Sequence, residues 1–155
     1  MGFLIPDQEQ MATLTGRIGV TPDNNFMLVQ RITHPKASKV AAVIDTFDAT
    51  NGLTGMTEKA CALIVTQSAI YCARLPWTFN ADRIAAKTER IDHDDVSNLN
   101  VYQKGDQVHI EFDYSGGHFH SHQMRKYWAR GQYNTDSLKH LLAEGFYGLM
   151  APSAL

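Results

Sequence analysis

Cysteine, net charge and long apolar runs are all in short supply in this chain. Its 155 residues carry two cysteines and a formal charge of −2. No apolar stretch approaches the roughly 20 residues that cross a bilayer. The near-balanced charge gives no global pull toward nucleic acid, while 44% apolar and 10% aromatic residues exclude a wholly disordered chain. The N-terminus lacks the charged start and apolar middle of a signal peptide, and Met1-Gly2 is followed by Pro6 where N-myristoylation needs Ser or Thr. A cytoplasmic protein is therefore expected. GxxxxGK[ST], GxGxxG, GxSxG, CxxC and HExxH are all missing, and with them the local geometry that each chemistry requires, so no catalytic residue is assigned.

The two cysteines fall in CALIVTQSAIYCAR, which reads as strands Cys61 to Val65 and Ala69 to Arg74 around a turn at Gln67-Ser68. In that register Cys61 faces Arg74 and Leu63 faces Cys72. The thiols are then diagonal, out of easy disulfide reach, and are expected as buried reduced groups.

What the chain does have is QVHIEFDYSGGHFHSH, Gln107 to His122. Val108, Ile110, Phe112 and Tyr114 alternate with His109, Glu111 and Asp113, the period of a half-buried strand, and a glycine-centred turn leads into a second strand. A two-residue Gly116-Gly117 turn sets Asp113 opposite His120, Glu111 opposite His122 and Ser115 opposite His118. One face is then apolar, with Phe119, and the other gathers four histidines and two carboxylates. Two readings of that second face follow. It is a charged outer surface with cross-strand ion pairs, or it is a site for zinc or another divalent transition metal held by His118, His120 and His122 with Asp113 or Glu111.

Elsewhere, residues 1–25 are polar and glycine-dotted and read as an N-terminal arm or loosely packed extension, with a single domain over 26–155. Phe26 to Thr33 reads as a strand. Residues 37–47 fit both helical and strand spacing. Thr88 to Ile91 and Val96 to Gln103 are further strands, Lys104-Gly105-Asp106 is a turn, and Asp92 to Asp95 makes another turn in preference to a catalytic or metal-binding acidic group. Asn134 or Thr135 is placed to cap a helix whose stripe is Leu138, Leu141, Leu142, Phe146 and Leu149. The sum is an α+β arrangement, a mostly antiparallel sheet closed by one C-terminal helix.

The order of Glu58-Lys59, LIVTQSAIY at Leu63 to Tyr71, RIDHDDVSNLNV at Arg90 to Val101, a glycine-turn hairpin and a terminal helix resembles the bacterial pleckstrin-homology-like (PH-like, YokE-type) domains, over roughly residues 39–150. The resemblance implies a strongly bent antiparallel sheet or partly open barrel of about seven strands capped by the helix, with 39–47 as the first strand. It implies a non-catalytic binding or assembly module, of bacterial or phage origin, acting through protein-protein contacts and able to self-associate through strand edges. Specific phosphoinositide binding is not expected, because the Thr66-Gln67-Ser68 loop carries no base. Nucleic acid is not expected either. The residues assigned to partner binding are Arg125, Lys126, Tyr127, Trp128, Arg130 and Tyr133, where aromatics alternate with cations. Trp77 and Phe79 form a second loop cluster of aromatics.

Overall fold

The computed structural model describes residues 6–33, 57–124 and 132–154. The chain order is α1 (Gln8–Arg17), β1 (Phe26–Thr33), β2 (Thr57–Val65), β3 (Ala69–Arg74), α2 (Ala81–Ala86), β4 (Glu89–Asp92), a 3-10 turn (His93–Asp95), β5 (Ser97–Lys104), β6 (Gln107–Tyr114), β7 (Gly117–Met124) and α3 (Gln132–Ala143). A short helical turn, Gly145–Gly148, follows. The seven strands form one antiparallel sheet in the order β4-β3-β2-β1-β7-β6-β5, with β4 and β5 at its two ends among the described residues. This is the expected α+β class with a C-terminal helix. The ambiguous residues 37–47 lie outside the described residues.

Both faces of the sheet are covered, and the alternation along the strands divides the side chains between them. On one face Met27 and Val29 of β1, Leu63 and Val65 of β2, and Phe112 and Phe119 of the β6–β7 hairpin pack under Leu138, Leu141 and Leu142 of α3. On the other, Phe26, Leu28, Ala62 and Ile64 meet Met11 and Leu14 of α1 and Ile84 of α2. Burial on two sides explains why β2 reads as the continuous apolar run CALIV with no polar alternation.

Residues 7–20 were expected within a loose arm, yet α1 buries Met11 and Leu14 completely. Its start is fixed by a capping box. Asp7 accepts from Gln10 N at 2.8 Å, and Gln10 Oε1 accepts from Asp7 N at 3.0 Å.

β1 pairs with β2 along eight positions, from Phe26↔Ile64 to Thr33↔Thr57, but with β7 only at Gln30↔His122 and Arg31↔Ser121. Where β7 no longer pairs with β1, the carboxamide of Asn134 takes its place. Leu28 N donates to Asn134 Oδ1 at 2.7 Å and Asn134 Nδ2 donates to Leu28 O at 3.1 Å. Asn134 is therefore not the helix cap expected of it but a buried residue inside α3 that substitutes for a strand neighbour, because an unpaired buried peptide group is costly. The helix also ends earlier than its apolar stripe suggests. Gly145 takes φ +60° and Met150 N donates back to Gly145 O at 3.0 Å. Phe146 and Tyr147 follow in left-handed conformations, with the Phe146 side chain buried in the first core.

Candidate functional site

The β2–β3 hairpin has the expected register, Cys61↔Arg74 and Leu63↔Cys72. Its turn is held by Thr66 Oγ1, which accepts from Ser68 N and Ala69 N and donates to Ala69 O. Both cysteines are free and buried. Cys61 hydrogen-bonds to Cys72 and burial adds to that effect, so its pKa is raised. Cys72 is lowered by the same hydrogen bond and by Arg31, against the opposing effect of burial. Arg31 ties this end of the sheet together. Its guanidinium reaches Cys72 Sγ at 3.8 Å, Tyr114 Oη at 3.0 Å and Glu89 Oε1 at 3.4 Å, and lies over the Phe119 ring 4.8 Å from its centre. The thiols are thus enclosed, as expected of buried free cysteine.

The β6–β7 hairpin pairs two residues away from the expected register. Its turn is Ser115-Gly116 with Gly117 at φ +127°, so Glu111 faces His120, Asp113 faces His118 and His109 faces His122. A shift of two leaves every side chain on its predicted face, and Phe119 stacks on Phe112 at 4.7 Å as the apolar pattern requires. The ion pairs change. His118 bridges both carboxylates, Nδ1 to Asp113 Oδ1 at 2.7 Å and Nε2 to Glu111 Oε1 at 2.8 Å. Those hydrogen bonds, Asp113 first, raise the His118 pKa. Asn98 and His118 hold Asp113 below its ordinary value. Burial pushes Glu111 up, but hydrogen bonds from Tyr102 and His118 outweigh it and leave it lowered. The Tyr102 hydroxyl, donating to Glu111, is pushed up to about 12.

Nor is this face wholly an outer surface. His109 is 7% exposed and His122 4%. His109 stacks on Tyr102 and shares a 2.9 Å Nδ1–Nε2 hydrogen bond with His120. Burial, and then the neighbouring His120 and His122, lower its pKa. Among the described residues no group of three or more His, Cys, Asp or Glu side chains is placed to hold a metal ion. Of the five residues considered for zinc, His118 has both nitrogens engaged by Glu111 and Asp113.

Asp95 sits in a turn, as expected for the acidic stretch. It accepts from Ser115 N at 3.0 Å and Ser115 Oγ at 2.6 Å, which clasps the hairpin tip.

Of the residues assigned to partner binding, Arg125, Lys126, Tyr127, Trp128 and Arg130 lie outside the described residues. Tyr133 is no exposed anchor. It is 2% exposed, packs against Phe26 and donates to Pro6 O at 2.8 Å.

The exposed aromatic is Trp77, at 70% the exposed large apolar side chain of the described residues. It stands in a cleft of about 900 Å³ between the sheet and α2. Leu75, Pro76 and Phe79 supply apolar lining, and Lys59, Arg74, Arg83 and Lys87 supply cations. Leu75 N donates to Ala60 O, extending the β2–β3 pairing into the cleft. Asn80 Oδ1 accepts from Arg83 N at 3.1 Å and starts α2, setting Arg83 and Lys87 on the far side. The aromatic pair Trp77 and Phe79 was visible in the sequence. The four cations were not, because no two of them are close in sequence except Arg83 and Lys87.

No family model matches the chain, and no curated protein matches it significantly.

Proposed function

We propose that this protein is a non-catalytic PH-like binding module that engages a protein partner in the cytoplasm through the Trp77 cleft. The observation that carries the reading is Trp77 itself: an indole 70% exposed at a cleft of about 900 Å³, beside the apolar Pro76 and Phe79. Tryptophan left in water over an apolar floor is the residue type that most often anchors an interface. The PH-like identity is supported by the seven-strand antiparallel sheet and its C-terminal helix. A scaffold role is further supported by the histidine-carboxylate network, whose groups bond one another. Strands β4 and β5, at the ends of the sheet among the described residues, give it a further means of assembly.

The test compares wild-type protein with Trp77→Ala, which the exposure of Trp77 predicts to melt at an unchanged temperature. Light scattering over a concentration series reads self-association, and affinity capture from native lysate reads other partners. The reading requires an oligomer or a retained protein that the variant loses. Equal behaviour of the two proteins in both assays would remove the cleft as the binding surface.

A further inference from the structure

We infer that the Trp77 cleft recognises an acidic segment of its protein partner, an inference that rests on the cleft being the binding surface. Four cations line it, Lys59 from β2, Arg74 at the end of β3, Arg83 from α2 and Lys87 just beyond it, and among the described residues no Asp or Glu does. None of the four is in an ion pair among the described residues. Two nearby carboxylates, on α2 and β4, pair with other bases. Asp82 pairs with Arg17 at 2.9 Å, and Glu89 with Arg31 at 3.4 Å.

The excess of positive charge is local, because the chain as a whole is at −2. A cation cluster maintained against that background, with Asp82 and Glu89 paired to other bases, sets a positive potential inside a concave, partly apolar surface. Such a surface focuses anionic groups and steers their approach. The cleft volume suits a few residues of extended peptide. Carboxylates would meet the Arg and Lys heads with charge-assisted hydrogen bonds, and an apolar side chain between them would cover the Trp77 ring.

Nucleic acid would call for several stacking aromatics along a basic track, whereas the one exposed indole among the described residues favours the peptide. Gln30 and Asn80, also in the lining, add neutral donors and acceptors for the peptide backbone.

The experiment is a fluorescence-anisotropy titration of the whole protein with a fluorescein-labelled peptide of sequence Glu-Glu-Leu-Glu-Glu-Leu-Glu, against the same peptide with Gln at every Glu, and against an oligothymidylate of similar length. The glutamate peptide is expected to bind, to weaken as salt rises past about 0.1 M, and to weaken roughly two- to fivefold for each cation removed. The double variant Arg83→Gln, Lys87→Gln is the main arm. Both side chains are exposed, so its melting temperature is expected to match wild type and to show that it folds.

Equal binding of the glutamine peptide, with Trp77→Ala weakening both, overturns the acidic inference and leaves the cleft reading standing. Tighter binding of the oligothymidylate overturns both. Absence of binding by the glutamate peptide, or binding indifferent to the double variant, overturns the inference alone.

Discussion

Replacing Asn134 with Ala strips two hydrogen bonds from the place where β7 ceases to pair with β1. The carboxamide satisfies the N–H and the C=O of Leu28 at 2.7 and 3.1 Å, and both partners are buried. Alanine leaves both backbone groups without a partner in a site that water does not reach. An unsatisfied buried group costs about 1–3 kcal/mol, so the pair sets an expected loss of about 2–6 kcal/mol. For a domain of this length, about 2–4 °C of melting temperature goes with each kcal/mol, so Asn134→Ala is expected to melt roughly 4–24 °C below wild type. The assay is urea unfolding followed by circular dichroism, with an unchanged m-value as evidence that only stability has moved. Asn134→Asp separates the two bonds. It keeps an acceptor for Leu28 N–H but turns a carboxylate oxygen toward Leu28 C=O, so at neutral pH it should be at least as destabilised as alanine and should recover as the carboxyl protonates. A loss under about 0.5 kcal/mol for alanine, the range of an ordinary surface change, would refute the claim that α3 completes β1.

Three further outcomes are expected. Gly145→Ala places a Cβ on Met150 O at φ +60° and should cost more than Gly148→Ala, where the space is open and only the left-handed backbone opposes the change, about 1 kcal/mol; equal losses in chemical unfolding would contradict this. His118 and His109 together set a stability maximum near pH 6.5, the ordinary histidine value. Raised His118 contributes stabilisation that is full below that pH and is lost as pH rises through its folded pKa, whereas lowered His109 imposes a penalty that grows as pH falls from 6.5 toward its folded pKa. Melts between about pH 5 and 8 should show that His118→Gln abolishes the fall on the alkaline side, and a fall of undiminished size would contradict the assignment. Cys61 and Cys72 should resist a thiol-exchange reagent in the native protein and both react on unfolding, while fast native labelling of either would refute their enclosure.

How much of this was legible in the sequence depended on whether the signal was local. The β2–β3 register could be read because the turn is short and the apolar run admits one pairing, which places Cys61 opposite Arg74. The faces of the β6–β7 hairpin could be read for the same reason. Its register could not, since period two is blind to a shift of two and the choice rests on Gly117 taking positive φ in place of a Gly116-Gly117 turn. α1 carried a readable start, Asp7 with Gln10 three residues on, that its weak apolar stripe obscured. Asn134 was misread because a capping residue and a buried carboxamide have the same identity, and only β7's departure from β1 distinguishes them. Tyr133 looked like an exposed link aromatic until Phe26 and Pro6 covered it. The cleft was out of reach altogether. Lys59, Arg74, Arg83 and Lys87 converge only after β2 has paired with β3 and α2 has folded back.

The most direct test of the binding cleft uses Trp77 as its own reporter. The chain has two tryptophans, so Trp128→Phe leaves Trp77 as the single indole, and its fluorescence emission can be recorded alone and with the glutamate peptide or the captured partner at saturation. Red-shifted emission of a solvated indole is expected for the free protein, and a blue shift with reduced quenching by iodide in the complex. An emission maximum and quenching unchanged on demonstrated binding would place the partner elsewhere and contradict the account.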